Sequence, residues 1–431
     1  MADLTAFAKP SRLKKSGGLF FGWWIVFGSL LSHAIRESAF FFVFGVYLLQ
    51  WQQSFGWSKF AISSSFSFAQ LVNGGLSPIQ GWLIDRFGAR VLMNCGTLIF
   101  GFSLMGLSTI QNLHSLFIFV VLISIGANMA GFLTTNAVLA NWFLRKRAFA
   151  MGVASSGMGV GGAIAPSVAW AVVTFGWRET SFWSGIALLA IGLPIAQLFR
   201  HRPEDFGLQP DNYKITVDNS SLLDNPNNEF SGPYFTISEA LRDRSFWFIS
   251  IGHCMALLVV VTLLVHLVPH LVKDLNWSET SAQSVFTLIT ATSVIGQIVG
   301  GILGDRYSKS KIAGWCMLGH FGAMVLFAFA QTGLLIVVAA VLQGMSWGMR
   351  GPLMMAIRAD YYGRKYFATI TGISTVIVMI GPLIGPAFAG AMYDFLGEYT
   401  RAFGILGVLT GLGSAFFFGA RKPAFPSRLE S

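Results

Sequence analysis

This chain is poor in charge. Only 11% of its 431 residues are Asp, Glu, Lys or Arg, against about a quarter in ordinary soluble domains, which excludes a water-soluble fold. Cysteine is scarcer still. Cys95, Cys254 and Cys316 make an odd number with no metal-ligand spacing, and a disulfide framework is excluded with them. No zinc-ligand pair occurs, and no Lys–Ser/Thr follows the glycine-rich stretches. No cofactor is implied and an enzyme is not expected.

Hydrophobic residues make up 54% of the chain, with 40 Phe and 48 Gly. Apolar runs of about 20 residues recur from end to end, each long enough for a bilayer core of about 30 Å. The first run has a basic flank (Lys9, Arg12, Lys14, Lys15) but is too long for a signal-peptide core and lacks a small-residue cleavage site, so it reads as a retained helix. The expected fold is all-α and integral to the membrane. Twelve transmembrane helices are expected at 20–48, 59–84, 91–110, 114–140, 148–174, 178–199, 245–271, 279–304, 312–331, 333–357, 368–392 and 400–420.

Placing the 29 basic residues on these spans orients them. The N-terminus, alternate loops and the C-terminal tail hold 23, while the opposite loops hold only Lys59, Arg178, Lys273 and Arg401. By the positive-inside rule both termini are cytoplasmic. The net charge of +10 is then topological, and no nucleic-acid partner is needed. Arg36 and Arg350 are left inside spans, with Glu37 the one acidic residue placed well within a span.

The stretch 200–244 is the single long polar interruption, and "VDNSSLLDNPNNEFSGPY" has linker composition. "TISE" at 236–239 reads as a capping box that opens a short surface helix. The organisation expected is 1–199 as one six-helix bundle, 200–244 as a cytoplasmic linker, 245–420 as a second bundle and 421–431 as a tail. The halves repeat. "QGWLIDRFGAR" (80–90) and "GGILGDRYSKSK" (300–311) place Asp85 and Asp305 220 residues apart, with Gly81 and Gly301 four residues earlier and Arg86 and Arg306 next. "RKRAFA" (145–150) and "GRKYFA" (363–368) match at an offset of 218. Repeats of this kind are common in secondary transporters, with the site where they meet.

In the first loop Gly81 permits close helix approach. Asp85 can accept from backbone N–H groups at a helix start or pair with a loop arginine. Gly88 suits a turn with positive φ, and Arg86 and Arg90 hold the loop at the basic side. The repeated Asp–Arg pair is expected to latch the halves, more weakly in the second copy, where Ser308 stands for Gly88.

"GWLIDRFGAR" resembles the signature loop of the major facilitator superfamily. "GWWIVFGSLL", "NWFLRKRAFAMGVASSGMGVGGAIAPSV" (141–168) and "RPEDFGLQPD" (202–211) are similar to its monocarboxylate and oxalate–formate porter branch. The resemblance spans nearly the whole chain. It implies two pseudo-symmetric six-helix bundles, alternating access, and a cavity lined by helices one, four, seven and ten. That branch often carries an Arg in helix eight and sometimes a Lys in helix eleven. Here Gln297 stands at the first place, and span eleven has no basic residue.

An intramembrane arginine costs about 2.5–3.5 kcal/mol on insertion scales and must face a partner or cavity. Arg36 lies about 16 residues, roughly 24 Å, into span one. His33 shares its helix side with Arg36 and Glu37. Arg36 and Arg350, from opposite bundles, could hold a carboxylate; the alternative is a structural cluster with Glu37. Asn128, Gln297 and His253 are further substrate candidates. Glu37, His33 and His266 are candidates for proton coupling. Glycines 157, 159, 161, 162, 381 and 385 read as packing features.

The function expected is transport of a small organic anion, driven by a proton or counter-anion, by a monomer in the plasma membrane, a bacterial inner membrane being the expected setting. The rival is an exporter of neutral or amphipathic solutes. A sensor or membrane enzyme is disfavoured.

Overall fold

The computed structural model describes residues 20–212, 234–330 and 332–424. The basic N-terminal flank, most of the linker centre and the last seven residues lie outside the described residues. What is described is helical, because apolar segments without water must satisfy their backbone polar groups internally.

In the first half the helices are α1 (Phe21–Arg36), α2 (Phe44–Phe55), α3 (Lys59–Phe87), α4 (Ala89–Leu107), α5 (Leu113–Met129), α6 (Phe132–Trp142), α7 (Arg147–Phe175) and α8 (Trp177–Gln197). A short α9 (Ile237–Arg242) follows the linker, opened by a Thr236–Glu239 capping box. In the second half they are α10 (Arg244–Lys273), α11 (Glu279–Arg306), α12 (Lys309–Phe329), α13 (Gly333–Tyr362), α14 (Phe367–Val378), α15 (Ile380–Leu396) and α16 (Thr400–Gly419). Three spans are composite: α1–α2 through a π-helical turn at Glu37–Phe41, α5–α6, and α14–α15.

Among the described residues eleven spans are long and apolar enough to cross a bilayer. The twelfth, α3, is 29 residues long but carries Ser63, Ser64, Ser65, Ser67, Gln70, Asn73, Ser77 and Gln80. Span one also runs seven residues further than expected, to Phe55.

The halves are built alike. Ser58 caps α3 and Ser278 caps α11, 220 residues apart. In the first half α1 packs on α7 and α4 on both α5 and α8; in the second α10 packs on α15 and α12 on both α13 and α16. Two contacts dominate the seam between halves, α3 against α14 and α7 against α11. Close approach there depends on four glycines at equivalent positions. A Cβ on Gly81 would strike the Ala368 carbonyl, and one on Gly301 the backbone of Ala148 and Phe149. Likewise Gly152 lies on the Gln297 carbonyl and Gly372 on that of Ser77.

Outside the seam, Gly157 and Gly161 pack on α1, and Gly381 and Gly385 on α10. Gly159 instead crosses to Val294, and Gly162 has room. Large apolar side chains such as Trp170, Val173, Leu383 and Phe395 are 61–87% exposed. That surface suits lipid and would be a liability in water.

Candidate functional site

Two polar clusters lie inside the apolar bundles, and their bookkeeping differs. The first surrounds Arg36. Its Nη1 donates to the carbonyls of Ala127 at 3.1 Å and Ala130 at 3.4 Å, where α5 ends. Its Nη2 donates to Glu37 Oε1 at 3.1 Å and to His33 Nδ1 at 2.9 Å. Because His33 Nδ1 accepts from arginine, its Nε2 carries the proton and donates to Thr135 Oγ1 at 3.2 Å. The trio of His33, Arg36 and Glu37 is therefore brought together as its spacing suggested. Every group in it has a partner, however, and all come from the first half. Arg36 caps the broken span four, and Glu37 is its counter-ion.

The second cluster lies in the other half and is short of partners. Arg350 on α13 is 1% exposed, and its Nε and Nη1 have no hydrogen-bond partner. Its electrostatic neighbours are Cys316 and His320 on α12, His253 on α10, and Arg358. None is an acid. His320, fully buried, bonds Gln343 through Nδ1 at 2.9 Å, while its Nε2 is unpartnered.

Arg358 was expected in a loop. The α13 helix continues to Tyr362, so Arg358 is buried at 2% exposure. It donates to the carbonyl of Met354 at 2.8 Å and to Ser374 Oγ at 2.6 Å, with His253 Nδ1 at 3.5 Å. Four residues were thus invisible to span-by-span charge counting: Gln343, His320, Arg358 and Cys316. His320, the one imidazole in the apolar stretch 312–329 of α12, was the available signal.

No hydrogen bond or ion pair joins Arg36 to Arg350 among the described residues. Of the remaining substrate candidates, His253 belongs to the second cluster. Gln297 lies on the seam with its carbonyl against Gly152 and its Oε1 unpartnered. Asn128 offers its carbonyl to Gln80 Nε2 at 2.6 Å. His266 is elsewhere, at the far end of α10 beside a cavity of about 990 Å³ lined by Gln283, Ser284, Thr287 and Tyr399. Both its nitrogens are engaged, Nε2 with the Pro386 carbonyl at 3.0 Å and Nδ1 with the Tyr399 hydroxyl at 3.2 Å.

The seam is tied at the end of the bundle that holds the basic loops. Asp85 accepts from the backbone N–H groups of Ala368 and Thr369 at 3.3 and 2.8 Å, and from the Thr369 hydroxyl at 2.6 Å. Asp305 accepts from those of Ala148 and Phe149 at 2.8 and 3.1 Å. Of the two partners open to Asp85 from the sequence, helix-start N–H groups or a loop arginine, the structure shows the first, and Asp305 does the same. Arg86 stacks on Trp82 and Phe87, Arg90 donates to the Gln197 carbonyl at 3.0 Å, and Arg306 is exposed. Each Asp instead takes the orphan N–H groups at the start of a helix in the other half, where the helix dipole favours an anion.

The two latches are the same device at an offset of 220, because α7 begins at Arg147 and α14 at Phe367. The 218-residue match of "RKRAFA" to "GRKYFA" is two residues out of structural register. Gly88 has φ +79, whereas Ser308 has φ −62, yet both latches form. The second lacks only a hydroxyl, since Phe149 stands where Thr369 does. Arginines do bridge the seam beside the latches: buried Arg147 reaches Asp360, which also holds Lys309 at 2.8 Å, and Arg364 meets Glu204 at 3.0 Å.

With this geometry in place, similarity to known proteins is informative. The family model described as Major Facilitator Superfamily matches residues 25–270 and 249–430. Rat monocarboxylate transporter 13 is 26% identical over 404 residues, covering 91% of this chain and 87% of the relative. The agnestins efflux protein AgnL12 of Paecilomyces divaricatus is also 26% identical, covering 88% and 82%. The crystal structure of the human organic anion transporter MFSD10 superposes with a TM-score of 0.72 at 14% identity, covering 92% of this chain and 99% of the other. At that identity the likeness concerns the fold.

Proposed function

The chain belongs to the Major Facilitator Superfamily, and from that premise we propose that it is a secondary active transporter of a small organic anion, with Arg350 as the anion-attracting residue. It is a multi-pass membrane transporter and not an enzyme. The substrate class is the proposal.

One observation carries it. A guanidinium buried to 1% exposure, without an acid beside it and with two donor nitrogens unpartnered, is costly in a membrane interior. A carboxylate arriving there supplies both the missing charge and the missing acceptors. Arg36 does not compete for this role, because Glu37 already neutralises it. The rat relative, a monocarboxylate transporter, and the human structure, an organic anion transporter, support the class.

The transport cycle is read as rocking of 1–199 against 245–420, joined by 200–244. The positive-inside rule puts the latched end in the cytoplasm of a plasma-membrane protein. The conformation described is then closed inward, with Asp85 and Asp305 holding it. Inward opening requires both latches, the Arg147–Asp360 pair and the Arg364–Glu204 pair to part. Substrate bound differently in the two states supplies the bias.

The test is uptake of labelled acetate, pyruvate and benzoate into proteoliposomes, with and without a pH gradient, for wild type and Arg350→Gln. Uptake by wild type that the variant loses while keeping its fold supports the reading. Transport of neutral or amphipathic solutes instead, unaffected by Arg350→Gln, overturns it.

A further inference from the structure

We propose that His320 is the proton-accepting partner of Arg350, so that the second half binds one anion and one proton as a single composite ligand. This rests on the anion-transport reading above and adds to it the residue that takes the proton.

The register of α12 against α13 sets the pair. The two helices run antiparallel: His320 meets Gln343, a Cβ on Gly319 would strike Ser346 Oγ, and Cys316 faces Arg350 electrostatically. His320 and Arg350 thus lie along one seam, Arg350 about two turns of α13 beyond Gln343, and the two interact electrostatically. Gln343, itself 1% exposed, presents its Oε1 to His320 Nδ1. A carbonyl oxygen can only accept, so Nδ1 carries the proton and Nε2 is left with a bare lone pair. This lone pair has no partner, and neither do Arg350 Nε and Nη1.

The empty positions are therefore donors on one side and an acceptor on the other. A carboxylate that bridges the two residues satisfies Arg350 but meets the Nε2 lone pair, acceptor against acceptor. Adding one proton from water to Nε2 converts that clash into a third charge-assisted hydrogen bond. The same proton cannot be held comfortably without the anion, because imidazolium beside an unneutralised guanidinium is a like-charge pair in a low-dielectric site. Anion and proton each make room for the other, which is the condition for coupling.

One other imidazole, His253 on α10, lies near Arg350, and its Nδ1 is engaged by Arg358. On α12 itself the neighbour is Cys316. From α13 come Arg350 and, further on, Arg358. Between Thr280 and Gly304 α11 has no ionisable residue, and α16 has none after Arg401. The three histidine and glutamate candidates read from the sequence are all occupied: His33 and Glu37 by Arg36, and His266 by Tyr399 and Pro386.

The experiment is calorimetric titration of the detergent-purified protein with pyruvate and benzoate, in buffers of different ionisation enthalpy, which counts protons taken up per anion bound. Wild type is expected to take up about one proton per anion, and its affinity to fall about tenfold per pH unit as pH rises through the neutral range. His320→Gln places a non-titrating amide near the position of Nε2. It is expected to bind the anion with no proton uptake and a flat pH dependence. Wild-type binding without proton uptake overturns the proposal and needs no variant to do so. Proton uptake that persists in His320→Gln overturns it too. Absence of any anion binding to wild type is a different result, which removes the anion-transport reading itself.

Discussion

Asp85 at the end of α3 accepts both the backbone N–H and the hydroxyl of Thr369 at the start of α14, at 2.8 and 2.6 Å. This is a charge-assisted bond across the seam, which opens in the cycle proposed above. Hydrogen bonds to a charged group contribute about 1.5–3 kcal/mol each. Asp85→Asn is expected to shift the equilibrium toward the state open at the basic end by roughly ten- to a hundredfold. Modification of cysteines introduced along α14 would measure it. Thr369→Val, which removes only the hydroxyl, should have a smaller effect in the same direction.

Gly81 tests the same closure sterically. Its missing Cβ leaves the space that the Ala368 carbonyl occupies. Gly81→Leu should prevent the latched conformation without disturbing either half, since α3 and α14 belong to different bundles. The expected outcome is a folded protein with transport lost and the basic end permanently accessible to a thiol reagent. A normally transporting Gly81→Leu would show that this approach is not part of the cycle.

Arg36 and Arg350 should respond oppositely when their charge is removed. Arg36→Leu strips Glu37 of its counter-ion and leaves the carbonyls of Ala127 and Ala130 uncapped. Breaking a buried pair in this way costs about 3–5 kcal/mol, so the thermal midpoint in detergent should fall by many degrees. Arg350→Met replaces an unpartnered buried cation by an apolar side chain of similar length. Without anion it should raise the midpoint, by an amount equivalent to about 1–3 kcal/mol, while abolishing anion uptake. A drop in stability for Arg350→Met would make that residue structural.

Arg147 and Asp360 form the buried ion pair that accompanies the latch. Either single neutralisation leaves a charge behind at the seam. In a double-mutant cycle, Arg147→Gln and Asp360→Asn together should be less disruptive than the sum of the two. Accessibility of the basic end and the thermal midpoint would both report the coupling, expected at about 1–3 kcal/mol.

The legible part of the fold was the part encoded locally. Apolar runs, basic loops and the Asp85–Asp305 repeat marked the spans, their polarity and the two halves. The errors fell where the chain's environment overrides its composition. Span one runs past the expected 48 to Phe55, whereas α3 forms where it was expected although its serines and amides lower its hydropathy. Arg358 is buried because α13 continues past the apolar segment into a space lined by Ser374 and His253. The 218-residue match followed letter identity rather than helix starts, and so missed the true equivalence of Arg147 with Phe367.

By itself, the sequence determined that this is a twelve-span transporter fold with charges retained inside it, since hydropathy, helix period and repeat spacing are properties of the linear chain. Only the tertiary structure decided which of those charges is already satisfied. Arg36 and Arg350 look alike as letters in apolar runs. The partners that distinguish them lie far away, at Ala127 and Ala130 for Arg36, and at Cys316 and His320 for Arg350. A buried charge acquires its role from the donors and acceptors that folding brings to it or withholds. Arg36 was given four, and two nitrogens of Arg350 were given none.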